Sequence, residues 1–155
     1  GYYGSTRRQC RCTTAQIQHY RARISGPLLD RIDLHIEVGA ISDEQLLRRP
    51  QGEPSAAIRE RVCRARTRQA ERFTGTSTRT NAKMTPRQMR DDCELDSACQ
   101  SLMRLAISDL DLSARAYDRI LRLARTIADL EDAETINGDH LTEAIQYRTL
   151  DRQLW

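Results

Sequence analysis

Ser113-Ala114-Arg115-Ala116-Tyr117-Asp118-Arg119-Ile120-Leu121-Arg122-Leu123-Ala124-Arg125-Thr126-Ile127-Ala128-Asp129-Leu130-Glu131 is the stretch that decides the fold. Its apolar residues Tyr117, Ile120, Leu121, Ala124, Ile127 and Ala128 recur every three or four positions, which draws one stripe along a helix of about residues 113–131. A stripe of that width needs partners, and the flanking sequence supplies them. Upstream, Leu95, Ala98, Cys99, Leu102 and Ala106 repeat the same spacing. Downstream, Leu141, Ala144 and Ile145 mark a last helix, opened by Asn137 or Asp139 on either side of Gly138.

Further out the helical pattern continues and then stops. Thr85-Pro86 places a cap before a proline in the first turn and predicts a short helix to about Asp91. Residues 74–84, rich in Thr, Gly, Ser and Asn, read as loop. Residues 54–73 predict a long, arginine-studded helix with a thin stripe at Ile58, Val62 and Ala65. Before it, Arg-Arg-Pro-Gln-Gly-Glu-Pro between Arg48 and Pro54 marks a linker. The expected division is therefore 1–52 and 53–155, the second part a bundle of four or five helices.

The first part reads differently. Residues 1–12 are loop-like, and Thr13 or Thr14 caps a helix expected to run to about Ile24, where Ser25-Gly26-Pro27 ends it. Leu34-His35-Ile36-Glu37-Val38 then alternates with period 2 and predicts a strand. One strand can neither pair its own backbone groups nor bury a face. Residues 1 to about 40 thus read as the edge of a larger α/β domain. The chain starts with Gly1 rather than Met, which we take as the mark of an excised piece of a longer protein or a tag scar.

Composition excludes several classes. No apolar run approaches the roughly 18–20 residues of a membrane span, and no secretory leader opens the chain, so a cytoplasmic protein is expected. Net charge is only +3, with Lys83 the single lysine. An arginine bias of that kind can arise from base composition alone, so most of these side chains are expected to be solvated surface residues, with phosphate contacts the lesser alternative. Of the five cysteines, Cys63, Cys93 and Cys99 fall in helical patterns and read as free thiols. Cys10 and Cys12 can supply half of a metal site, while zinc takes four ligands, so no metal is expected within this chain alone.

Two arginines stand out. Arg31 lies at the tip of a turn before the predicted strand, between Asp30 and Asp33, where it either projects as a functional group or forms a surface ion pair. Arg115 lies in the first turn of the best helix, against the helix dipole, which hints at a bound anion.

Arg23-Ile24-Ser25-Gly26-Pro27-Leu28-Leu29-Asp30-Arg31-Ile32-Asp33-Leu34-His35 resembles the signature of the Mg-chelatase-related ATPases of the ComM/YifB group, and more loosely the Leu-Leu-x-Arg-Phe-Asp turn of MCM helicases. Tyr2-Tyr3-Gly4, Cys10-Arg11-Cys12-Thr13, Leu112 to Tyr117, Ile120-Leu121-Arg122, Ala124 to Leu130 and Ala144 to Arg148 fit the same group in order. The resemblance implies a mainly α chain: a helical AAA+ lid bundle preceded by a remnant, one helix and one strand, of the α/β AAA+ core. It implies that Arg31 is the arginine finger acting in trans and that Arg115 is the second sensor, contacting ATP phosphates. It implies a homo-oligomeric, hexameric ring using ATP and Mg2+ and acting on DNA by helicase or branch-migration activity in natural transformation. The alternative within the resemblance is a motor for metal insertion. It also implies a Cys-Pro-Cys upstream that would complete a cluster with Cys10 and Cys12.

No G-x-x-x-x-G-K-[ST] loop is present, because Lys83 sits in Asn81-Ala82-Lys83 without glycines. The chain alone is therefore expected neither to hold nucleotide nor to hydrolyse it. A helical DNA-binding module reading through residues 54–73 or 113–131, and a plain oligomerisation domain, are the other classes; neither accounts for an orphan strand before the bundle.

Overall fold

The computed structural model describes residues 1–5, 7–48 and 52–148. Eight α-helices are described: α1 Thr14–Arg21, α2 Gly26–Leu29, α3 Asp43–Arg48, α4 Ser55–Arg72, α5 Pro86–Asp92, α6 Ser97–Leu110, α7 Ala114–Leu130 and α8 Gly138–Gln146, with a 3-10 turn at Asn81–Lys83. Several starts share one device. Thr13 with Gln16, Thr85 with Gln88, and Asn137 with His140 form reciprocal capping boxes, each satisfying backbone donors that the first turn leaves open.

The bundle is organised around α7, which packs on α4, α5, α8 and the 3-10 turn, while α6 lies against α8. Ile120, Ala124 and Ala128 are wholly buried along its stripe, and Leu141 and Ala144 of α8 meet them. Phe73, Met84, Met89, Cys93, Leu95, Cys99, Met103 and Ile136 complete the core. The expected stripe of α4 is only partly used: Ala65 is buried, whereas Ile58 and Val62 are 40% and 43% exposed.

Under this apolar layer runs a charged one. Asp129 of α7 has a fully buried side chain. It accepts from Arg72 Nη1 and Nη2 at 2.8 and 2.5 Å and from Asn81 Nδ2 at 2.7 Å. Arg125, one turn earlier, lies 3.2 Å from it and donates to the carbonyls of Ala133 and Glu134. Burial by itself would raise the Asp129 carboxyl, but the bonds from Arg72 and Asn81 and both arginine charges outweigh it, holding it below the ordinary range. The α7 helix then ends in a Schellman turn: Ala133 N–H donates to Ala128 C=O at 2.8 Å, with Asp132 at φ 63°.

Two expectations need correction. Among the described residues no strand forms, so Leu34–Val38 is not one. The backbone offers a reason: His35 N–H donates to Tyr147 C=O at 2.9 Å, a bond to a helix end rather than a rung of a ladder. Leu34, Ile36 and Val38 stay 43%, 65% and 87% exposed. Helix α1 stops at Arg21, short of Ile24, because Ala22 takes up the cap bonds. The segment before the linker, to which no element is assigned from the sequence, holds α3, started by a reciprocal Ser42–Gln45 pair and braced by Glu44–Arg48 at 2.8 Å. The linker itself lies partly outside the described residues, at 49–51. Of all the hydrophobic residues before α4, only Leu29 is buried among those described.

Candidate functional site

The two singled-out arginines come from segments that the fold brings against each other. The turn after α2 is held by its own backbone: Asp30 N–H donates to Gly26 C=O at 2.9 Å and Ile32 N–H to Leu29 C=O at 2.9 Å. Arg31 sits on that turn, exposed, with Nη1 donating back to Pro27 C=O at 2.9 Å. Arg115 occupies the second position of α7, just after the N-cap Ser113, whose Oγ accepts from Ala116 N–H at 3.1 Å.

Asp30 joins the two. Its Oδ2 accepts from Arg115 Nη1 at 3.2 Å, across 85 residues of chain. Its Oδ1 accepts from Ser113 Oγ at 2.9 Å. Arg148, just past α8 and 1% exposed, brings Nη2 to 3.6 Å of the same Oδ1 and donates from Nη1 to Ile32 C=O. One turn along α7 from Arg115, Arg119 forms an ion pair with Asp33. Two carboxylates thus receive three arginines and a helix cap. Arg119 is pushed down from its ordinary value, first by burial and then by the Arg148 charge, with Arg122 and Arg31 adding to it. The joint is rich in positive charge.

The dipole argument for Arg115 changes accordingly. Its side chain is 52% exposed and paired with Asp30, so an acid of the chain already offsets the unfavourable position. An exposed pair of this kind contributes about 0–1 kcal/mol. Arg31 and Arg115 are not bonded to each other; they meet through Asp30. Sequence reasoning saw Asp30 only as a neighbouring charge and Arg148 only as part of a matching segment. No spacing signals a contact spanning 116 residues, such as Arg148 to Ile32.

Cys10 and Cys12 lie apart from this joint. Both are half-buried, and both sulfurs face Gly1, where an added Cβ would sit 2.6 Å from Cys12 Sγ and 3.5 Å from Cys10 Sγ. The Cys10 thiol is lowered, chiefly by hydrogen bonding to the Cys12 backbone. Among the described residues no group of three or more His, Cys, Asp or Glu is gathered as for a metal ion, so the two thiols are the donor set there. Among the same residues no helix is long and apolar enough to cross a membrane.

Residues 52–148 match the family described as magnesium chelatase, subunit ChlI C-terminal, and residues 1–46 that described as magnesium chelatase, subunit ChlI. The chain is 39% identical over 155 residues to competence protein ComM of Haemophilus influenzae, covering 99% of this chain and 29% of that protein. It is 38% identical over 149 residues to the uncharacterised protein YifB of Escherichia coli, covering 93% of this chain and 28% of YifB. An uncharacterised protein of Mycobacterium tuberculosis is 33% identical over 144 residues. The chain therefore spans less than a third of the length of the curated relatives it matches. With a lid-like helical bundle, a docked arginine turn and these matches along its length, the chain belongs to the magnesium chelatase ChlI family, alongside the ComM and YifB proteins.

Proposed function

We propose that this chain is the C-terminal part of a ring-forming AAA+ ATPase, residues 1–52 closing the ATPase core and residues 53–155 forming its helical lid. Arg31 acts as the arginine finger toward a neighbouring subunit, and Arg115 as the second sensor. The observation that carries the reading is the joint at Asp30, where an exposed arginine turn is fastened to the N-terminal end of an arginine-bearing helix. Phosphate chemistry suits both ends. The helix N-terminus and the Arg115 guanidinium attract an anion, and Arg31 can swing from the Pro27 carbonyl to stabilise charge on a transferring phosphoryl group. ATP would supply that group when bound and Mg2+ would neutralise its charge; this chain supplies the two cations.

The exposed apolar residues Ile36, Val38, Ile41, Leu46 and Leu47 support placement of residues 1–52 at the edge of a sheet domain. A homo-oligomeric ring, hexameric as in AAA+ assemblies, follows from an arginine that works in trans. For the substrate we propose DNA remodelling, on the likeness to a competence protein over 99% of the chain. The second reading, a motor for metal insertion, is favoured by the magnesium chelatase match itself. A free-standing DNA-reading role for α4 is disfavoured, since four of its six arginines, Arg61, Arg64, Arg68 and Arg72, are engaged by acids.

In the full-length protein Arg31→Ala should lower kcat on the order of 10³-fold with little change in nucleotide affinity. Mixed with subunits defective in their own phosphate loop, it should regain part of the activity. Steady-state hydrolysis within about twofold of wild type would rule out the finger assignment.

A further inference from the structure

We infer that Asp30 is a positioning residue that couples phosphate occupancy at Arg115 to the stance of the Arg31 turn; the inference rests on the roles proposed for those two arginines. The carboxylate has no spare oxygen. Oδ2 is taken by Arg115 at 3.2 Å, and Oδ1 by Ser113 at 2.9 Å with Arg148 at 3.6 Å. Its backbone is the C-cap of α2, fixed to Gly26, and Arg31 is the next residue. A change in the pull on the Asp30 side chain is therefore passed to Arg31 through one peptide unit.

Among the described residues Arg115 has one carboxylate partner, and its guanidinium is half-exposed. A nucleotide phosphate carries more charge than a carboxylate and accepts a forked pair of bonds, so it competes effectively for that guanidinium. When phosphate takes Arg115, Asp30 keeps Ser113 and Arg148. The turn is not released: Arg148, buried and bonded to Ile32 C=O, still holds it. What changes is which side of the carboxylate is loaded, and with it the direction from which Arg31 is presented to the next subunit. Linkage makes the effect reciprocal: an Asp30 seated on Arg115 must weaken phosphate binding by the same factor that phosphate weakens the seat.

This gives a signature that a plain structural role does not. Asp30→Asn keeps the shape and can still pair with Ser113, but removes the charge that competes for Arg115. In the full-length protein the Kd for a non-hydrolysable ATP analogue should fall about threefold to fivefold, the range open to release of one exposed ion pair. kcat should fall about tenfold or more, since small misplacement of a reacting group is costly. In an Arg115→Ala background the gain in affinity should vanish. Asp30→Ser serves as the second variant if the Asn protein does not fold, with the same expectations. Unchanged or weakened analogue binding in the folded variant, or a gain that persists without Arg115, would overturn the inference. Arg31→Ala and Arg115→Ala run alongside separate the cases. If they leave hydrolysis within about twofold of wild type, the finger and sensor reading has failed. If they abolish it while Asp30→Asn behaves as wild type, only the coupling has failed.

Discussion

Asp129 is the residue whose loss the bundle should tolerate least. Its carboxylate is the shared anion of Arg72 and Arg125, whose side chains are 16% and 3% exposed. Asn81, 1% exposed, uses the same acceptor. Asp129→Ala leaves two guanidinium groups in the interior without their counter-charge, and breaking a buried pair in this way costs about 3–5 kcal/mol. Near 150 residues each kcal/mol moves Tm by about 2–4 °C, so the melt should drop by about 6–20 °C. Asp129→Asn retains an acceptor but not the charge and should fall between the two proteins. Arg72→Met combined with Asp129→Ala should be well short of additive, by more than about 1 kcal/mol, because the first change removes one of the stranded charges. pH provides an independent arm. The carboxyl is held lower in the folded chain than its unfolded value of about 3.9, so its contribution is complete above that value. It is lost as pH falls through the folded value, and Asp129→Asn should lack this acid-side component. Calorimetric melts between pH 2 and 7 would show it. A loss below about 1 kcal/mol for Asp129→Ala at neutral pH would refute the claim that this anion holds α4 to α7.

Two more outcomes follow from the same structure. Asp111, the C-cap of α6, sits at φ 48°, a left-handed conformation that favours glycine. Asp111→Gly should thus stabilise the chain by up to about 1 kcal/mol, and a urea midpoint lower than wild type would contradict this. The Cys93 thiol is pushed up to about 11 by burial, against Arg125 and other charges, whereas Cys63 is exposed and Cys10 is lowered. Pulsed alkylation at pH 8 should label Cys10 and Cys63 quickly and Cys93 only on unfolding; equal rates for Cys63 and Cys93 would show the core to be open.

Much of this molecule is written in local pattern. The stripe from Tyr117 to Ala128, the Thr85-Pro86 start and the Asn137 cap are properties of segments shorter than twenty residues, and the helices stand where those segments ask for them. The Arg31 turn and the position of Arg115 in a first helical turn were equally legible. Where local pattern misled, the missing quantity was a partner. Leu34–Val38 alternates as a strand should, but alternation specifies a face and not the neighbour that must receive its backbone bonds. Helix α3 went unread because its start lies in a capping pair, Ser42 with Gln45, rather than in an apolar stripe.

What the amino-acid sequence determined by itself, then, is the helical bundle and the family to which the chain belongs. What tertiary structure decided is how charge is distributed over the chain. Asp129 carries no sign in sequence of the partner it will meet, yet it is buried with Arg72, 57 residues earlier, folded across it. Asp30 reads as a flank of Arg31, yet it fastens that turn to Ser113 and Arg115. Apolar periodicity survives in one dimension because burial depends on which side of a helix a residue occupies. A charge has no such period; its role depends on which opposite charge the folded chain carries to it.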